Sequence, residues 1–476
     1  MQFYINTDVV GAKCVKCGAP GVLVTRIHDA FCKSCFQVYV VHKFRSAIGK
    51  SKLIRDGEAV LVAFSGGTNS SAMLHLIKDG LSLRAHKKLR FTPTLLHIDE
   101  TCLLGSESLE WKVKQNQVKN IMLDSGFPSY WTQLEQSVMI QKDHASGMSN
   151  KGESAADYER NGTPLLLHYI SGKSGMTDLS LVSSSEDAGK LRDLVRSLGN
   201  LTAQENFIQN LRNQMLVQAA CQLGFSKVLT AENSTHLAIR ILSDIAQGRG
   251  SQVSLDTGIS DERNGEVMFM RPVRELNAKE LAMYNTVFGV ESVFIPTLST
   301  MTPLASSIER LTESFVTGLQ ADFPSTVSNI VRTSGKLGLP DIKKSDKCSF
   351  CQSPLDTNAK KNSALGAVLF SQQLSKVAQP VDNFQAKKLH TPLTEETNQS
   401  SPGAAHDIAF VNLHELKETM CYGCRLSLHA FDGDLSSLPP SITKTASSSI
   451  RERQRRQLSG FLLEQDYSVG DDDSIS

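Results

Sequence analysis

The 476-residue chain lacks several features that would settle its class at once. No apolar run is long enough to span a bilayer, which excludes a membrane-spanning helix within it. Its opening, Met1-Gln2-Phe3-Tyr4-Ile5-Asn6, has neither the basic start nor the apolar core of a secretory signal. The expected compartment is the cytosol, where disulfides are disfavoured because thiols stay reduced. A charge excess is missing too: 50 Lys and Arg stand against 49 Asp and Glu, so composition makes no global case for nucleic acid. The balance is uneven locally, with nine cations against four carboxylates in residues 1–58. The hydrophobic fraction of 40% is ordinary for a globular protein, and the length predicts two or three domains.

Cysteine is what the chain does have. Eight of its ten fall in four Cys-x-x-Cys pairs: Cys14/Cys17, Cys32/Cys35, Cys348/Cys351 and Cys421/Cys424. Cys102 and Cys221 are single. The first two pairs flank a short Gly-Pro hairpin, a spacing that predicts a structural zinc ribbon, since four thiolates satisfy tetrahedral zinc and leave no open position. His28 and His42 lie nearby and read as surface or packing residues. The last two pairs are separated by a long polar stretch, 356–407, low in aromatics and expected to be disordered. Closure entropy grows slowly with loop length, so both pairs can still share one ion.

Ala59 to Leu76, AVLVAFSGGTNSSAMLHL, organises the rest. An apolar run to Phe64 predicts a buried strand, Ser65-Gly66-Gly67 a turn, and Ala72, Met73, Leu76 and Ile77 a helix. A strand, a Gly-rich turn and a helix start together form an anion site: first-turn N–H groups point at the turn, and paired glycines let the backbone approach a phosphate. The Walker pattern is absent, because it needs a longer loop ending in Gly-Lys-Ser/Thr.

Further strands are predicted over Phe91–Ile98, Ser129–Thr132, Lys227–Thr230 and Val267–Met270, a five-strand α/β core. Helices are predicted around Leu109–Met122, Phe207–Leu223, Leu237–Ile245 and Ala278–Phe288, the last capped by Asn277. Asp99 ends its strand where open α/β sheets bind ligands. Residues 141–185 read as a long, mobile insertion. Ile308, Leu311, Phe315 and Leu319 mark a helical extension, and residues 443–457 end in a basic segment, Arg451 to Arg456. Lys43, Arg45, Lys50, Lys52 and Arg55, with Arg249, Arg271 and Arg274, read either as ordinary solvated charge or as a phosphate-contacting surface.

The turn at Ser65 resembles the PP-loop of ATP pyrophosphatases, Ser-Gly-Gly-x-Asp-Ser: Ser65, Gly66, Gly67 and Ser70 match, and Asn69 stands in place of Asp. With the two cysteine modules and the stretches CVKC, AFCKSCF, VHKFR, SGGTNSS, DTGISDERNG, FPSTVSNIVRTS and CYGCR, nearly the whole chain resembles the tRNA 2-thiolation enzymes built on the PP-loop fold, as the second member of a cytosolic pair of subunits. The resemblance implies a PP-loop ATP pyrophosphatase-like parallel sheet flanked by helices, with N-terminal and split C-terminal zinc-ribbon-like modules. The expected division is 1–41 for the N-terminal ribbon, 42–300 for the α/β domain, 301–345 for the extension, 346–430 for the split module and 431–476 for a tail.

For function, the resemblance implies 2-thiolation of wobble uridine 34, giving 5-methoxycarbonylmethyl-2-thiouridine, in tRNAs for Lys, Glu and Gln. It implies a catalytic PP-loop partner in a heterodimer and sulfur from a thiocarboxylated ubiquitin-related modifier. Catalytic members use a central Cys-x-x-Cys and a third Cys to hold an iron–sulfur cluster or active sulfur. This chain has none in Asn200–Asn206 or near Phe294–Leu298, and Ser234-Thr235-His236 replaces an Asp-Asp pair. No catalytic residue is therefore assigned. Ser65, Gly66, Gly67, Asn69, Ser70 and Ser71 form a degenerate nucleotide site, with ATP a doubtful ligand, and zinc is expected at the eight paired cysteines. Two alternatives stay open: a PP-loop ATPase that adenylates tRNA uridine, and a zinc-ribbon scaffold that binds neither nucleotide nor tRNA.

Overall fold

The structure is a computed structural model, and it describes residues 12–25, 29–83, 85, 88–105, 109–138, 165–170, 185–338, 346–355, 368, 413–431 and 433–458. The expected insert 356–407, apart from Val368, and most of 141–185 lie outside the described residues.

Strands β1 (Leu23–Val24) and β2 (Ala30–Phe31) pair antiparallel and lead into α1 (Lys33–Ser51). Phe36, Val40, Phe44 and Ile48 recur at helical spacing and bury one stripe of α1. That stripe packs in the same core cluster as Val60 and Val62 of β3 (Ala59–Ala63) and Met73 of α2 (Thr68–Leu81). A boundary at 41/42 would cut α1 in half, so the cysteine hairpin and the sheet domain are joined by a continuous helix. Strands β4 (Thr92–Asp99) and β5 (Ser129–Gln133) follow, separated by α3 (Leu109–Ser125). After β6 (His168–Tyr169) come α4 (Ser185–Arg196), α5 (Leu201–Gln222), β7 (Lys227–Leu229), α6 (Ser234–Ala246), the short α7 (Val253–Thr257), β8 (Ser260–Asn264) and β9 (Val267–Met270).

One sheet takes the order β6-β5-β4-β3-β7-β9-β8. Its five central strands are parallel. Val60, Leu61 and Val62 are fully buried, as expected of a central parallel strand covered on both faces. The expected parallel core is thus present, but antiparallel β6 and β8 edge it. Strand β8, Ser-Asp-Glu-Arg-Asn, has no apolar residue to announce it. Taken in chain order, the parallel strands run 3-2-1-4-5, which puts the topological switch between β3 and β7.

Helix α8 (Ala278–Phe288) begins with a capping box: Asn277 Oδ1 accepts from Glu280 N at 2.7 Å, and Glu280 returns a carboxylate to Asn277 N at 2.9 Å. Helices α9 (Ile308–Asp322) and α10 (Thr326–Ser334) pack on α6 through Val316, Val327 and Val331. Leu311 and Phe315 lie on the outer face of α9, 59% and 57% exposed, so the helix is where the sequence put it while its buried face is not. After α11 (Leu413–Glu418) and α12 (Tyr422–Ser427), the expected tail forms a 19-residue helix, α13 (Pro440–Leu458). Ile442 and Ala446 anchor it in the core. No described helix is long and apolar enough to cross a membrane.

Candidate functional site

A cavity of about 540 Å³ opens at the carboxyl ends of the parallel strands. The Ser65 loop after β3 and the Thr230–Glu232 turn after β7 both line it, so it occupies the switch point. Leu96, Ile98 and Glu100 face it from β4 and its end. The two-residue period of the strand turns Asp99 the other way. Asp99 Oδ1 accepts from Thr101 N at 2.9 Å and Thr101 Oγ1 at 2.7 Å, and Oδ2 accepts from Gln115 Nε2 at 2.6 Å. Its carboxylate is taken up by the local turn, a correction to its expected role at the ligand edge.

The loop keeps an anion-binding backbone. Gly66 has φ +79°, and a Cβ there would lie 2.6 Å from Val118 Cγ2, so only glycine fits. Gly67 caps α2 without a side-chain acceptor, leaving first-turn N–H groups for a ligand. The loop carbonyls are held from behind: Asn285 Nδ2 donates to Thr68 O at 2.9 Å and Val293 N to Gly66 O at 2.8 Å. The hydroxyls serve the loop itself. Ser65 and Ser70 Oγ atoms are 3.1 Å apart, Ser70 donates to Gly67 O, and Ser71 donates to Gly66 O at 3.2 Å. Asn69 faces the cavity.

The cavity is charged but nearly balanced, with six arginines and seven carboxylates in its walls. Arg212 is bidentate on Glu100. Glu232 binds Arg240 at 3.3 Å and Arg271, while Arg263 bridges Asp256 and Asp261. Glu205 stands apart: neither buried oxygen makes a well-formed hydrogen bond, and burial, only partly offset by nearby Ser307, pushes its pKa up to about 7. Glu205, Thr297 and Leu298 meet in this cavity, so the two stretches expected to lack cysteines converge on one place. Two of these pairs, Arg212–Glu100 across 112 residues and Arg271–Glu232 across 39, have partners too distant in the chain to read from sequence; the shorter-range pairs carry no spacing that marks them. The position of Glu232 just beyond a strand end was the one local signal.

Both sets of paired cysteines come together. Within Cys14, Cys17, Cys32 and Cys35, and within Cys348, Cys351, Cys421 and Cys424, all sulfurs lie inside 4.8 Å of one another. A tetrahedral ion with metal–sulfur bonds of about 2.3 Å sets its sulfurs about 3.8 Å apart. Cys17–Cys32 and Cys351–Cys421, each 3.6 Å, fit that edge. The sulfurs compete for protons: the N–H of Cys32 lowers Cys14 to about 6, while the hydrogen bond with Cys32 raises Cys35 to about 12. A dication resolves such a conflict by binding all four as thiolates.

The C-terminal set is built into the cavity wall. Phe350 packs against Phe207 of α5, with the rings tilted and their centroids 5.2 Å apart, and Cys351 lines the cavity. Arg249 lies behind the cluster. Burial opposes its charge, but Cys424 and Asp244 outweigh burial and hold it protonated. A Cβ on Gly423 would sit 2.2 Å from Arg249 Nε.

The expected phosphate-contacting residues divide. Arg249 and Arg271 are buried, 7% and 5% exposed, in the wall of the cavity, so neither is ordinary solvated charge. Arg274 is half-buried and donates to Thr257 O at 3.1 Å. Lys43 pairs with Glu280 at 3.3 Å and lies over Tyr39. Arg45 is half-buried on α1, whereas Lys50, Lys52 and Arg55 are exposed at and beyond its end.

The chain is similar in sequence to proteins already known. Residues 307–426 match the family profile described as cytoplasmic tRNA 2-thiolation protein 2. A Danio rerio protein of that name is 37% identical, covering 98% of this chain and 97% of its own length. The Homo sapiens protein of that name is 33% identical over 91% and 90%. Among solved structures, the U34-tRNA thiolase NcsA from Methanococcus maripaludis, described with its 4Fe-4S cluster, aligns over 73% of this chain and 93% of its own at 12% identity, with a TM-score of 0.49.

Proposed function

Because the chain belongs to the cytoplasmic tRNA 2-thiolation protein 2 family, we propose that it is the non-catalytic subunit of a heterodimer that 2-thiolates wobble uridine in tRNAs for Lys, Glu and Gln. The observation that carries the reading is a PP-loop cavity without an available thiol. All ten cysteines are described, and eight are committed to the tetrathiolate sets. Cys102 is half-buried and burial drives its thiol far up, while Cys221 on α5 is raised by the same cause. Sulfur transfer needs a thiolate or a cluster, and neither residue supplies one. In this reading the partner subunit provides the thiolates, a thiocarboxylated ubiquitin-related modifier provides the sulfur, and this chain positions tRNA. Both tetrathiolate sets hold structural zinc, which fixes fold and takes no part in a reaction step.

A second reading is favoured by the intact loop backbone: Gly66, Gly67 and the first turn of α2 bind the phosphates of ATP, and this chain adenylates uridine. The two readings separate when the purified chain, its PP-loop partner, and both together are given tRNA, ATP and the sulfur donor. The proposal expects 2-thiouridine only from the pair, with no ATP turnover by this chain alone. AMP formation by this chain alone would move adenylation here.

A further inference from the structure

We propose that the outer face of α13 is a docking surface for the RNA phosphate backbone; this rests on the reading of the chain as a tRNA-positioning subunit. The helix carries five cations and one carboxylate. They fall into two groups. On the inner side, Arg453 reaches Glu418 at 3.6 Å, and Arg456 reaches Asp346 at 2.7 Å. These pairs, with Ile442 and Ala446 in the core, pin the helix against the C-terminal cysteine module.

Lys444, Arg451 and Arg455 do something else. With Ser448 they recur at helical spacing along one line, and all four positions are exposed. None of the three cations has a carboxylate partner among the described residues. The helix dipole accounts for Arg455 in the last turn, but it does not reach Lys444 and barely reaches Arg451. Arg451 and Arg455 are one i,i+4 step apart, a rise of about 6 Å, comparable with successive phosphates on one strand. Lys444 extends the line by about 10 Å.

The chemistry of the stripe selects the partner. It holds no aromatic or aliphatic anchor, which a stable protein interface needs at its centre. Without an apolar face it cannot insert in a lipid surface. Cations and a serine hydroxyl are sufficient for phosphates, which position a nucleic acid without reading its sequence.

The test uses the full chain in complex with its catalytic partner and an unmodified tRNA transcript, with affinity followed by fluorescence anisotropy across a salt series. The variant is Lys444→Gln, Arg451→Gln, Arg455→Gln. It is expected to weaken binding at least tenfold and to flatten the salt dependence by about two units, from about 0.7 per lost contact. Helix content, metal content and partner co-purification should not change. The charge-preserving variant Lys444→Arg, Arg451→Lys, Arg455→Lys should restore affinity and slope. Unchanged affinity and slope in the glutamine variant would overturn the assignment of α13 and leave tRNA positioning by the complex intact. Loss of partner with tRNA affinity intact would also overturn it, and would make the stripe a protein contact. Failure of the wild-type complex to bind tRNA would instead remove the reading on which the proposal stands.

Discussion

The two four-cysteine sets have the same ligand types and similar sulfur geometry, yet they sit in the molecule very differently. The N-terminal set brackets a two-strand hairpin, Cys14 and Cys17 before it and Cys32 and Cys35 at the start of α1; Cys14 and Cys32 are buried, Cys17 is exposed and Cys35 is half-buried. It joins the rest of the fold through α1. The C-terminal set is assembled from segments 70 residues apart, with Cys348, Cys421 and Cys424 buried. It has an aromatic of α5 on one side and the Arg249 guanidinium on another. One set clips a terminus; the other holds part of the cavity wall in place. The same ligand chemistry therefore carries different consequences, set by what packs around it.

Substitutions sharpen that contrast. The largest effect is expected from Cys424→Ser, which removes a ligand and leaves Arg249 buried beside a weakened site. A loss of at least about 3 kcal/mol is expected, with one metal lost per chain. Thermal unfolding and metal analysis check it. Cys17→Ser should also release one metal but lower the main unfolding transition far less, because Cys17 itself is exposed and the short two-strand hairpin can open locally. Equal destabilisation by the two variants would break the comparison.

Next in size is Gly423→Ala, whose new Cβ would meet Arg249 Nε at 2.2 Å. A cost of about 1–3 kcal/mol is expected from overpacking. Combining it with Arg249→Ala should not add the two costs, a double-mutant cycle measured by denaturant unfolding. Additive costs would mean that the two residues do not touch.

The smallest expected effect concerns Glu205. Its folded pKa of about 7 is above the ordinary carboxylate value, so the folded state binds the proton more tightly than the unfolded one. Its favourable contribution is present at low pH and is lost as pH rises from the unfolded value to about 7. Glu205→Gln should therefore be more stable than wild type at pH 8, and the difference should fade towards pH 4.5. A melting-temperature difference independent of pH would contradict the assignment.

Local patterns made much of this legible. The β3–loop–α2 unit could be read because apolar runs, paired glycines and helical spacing are all short-range signals. So could the Asn277 cap, and the cysteine pairs announced the tetrathiolate sets. Charge at a distance was not legible. Arg271 reads as surface charge until Glu232 and Asp261 are folded beside it, and Glu100 finds Arg212 across 112 residues. Strand β8 escaped for a different reason: Asp261 and Arg263 are buried by pairing with each other, not by apolar content. Helix α13 looked like a tail because only Ile442 and Ala446 among its first turns mark the buried face.

If the partner subunit carries out the chemistry, this loop has only its fold to keep. The most direct measurement is tRNA thiolation by the reconstituted pair, comparing wild type with Ser65, Ser70 and Ser71 all changed to Ala in this chain. In that case 2-thiouridine formation persists at close to the wild-type rate. Collapse of activity with the complex, its metal and its tRNA affinity intact would contradict it, and would place nucleotide chemistry at this loop.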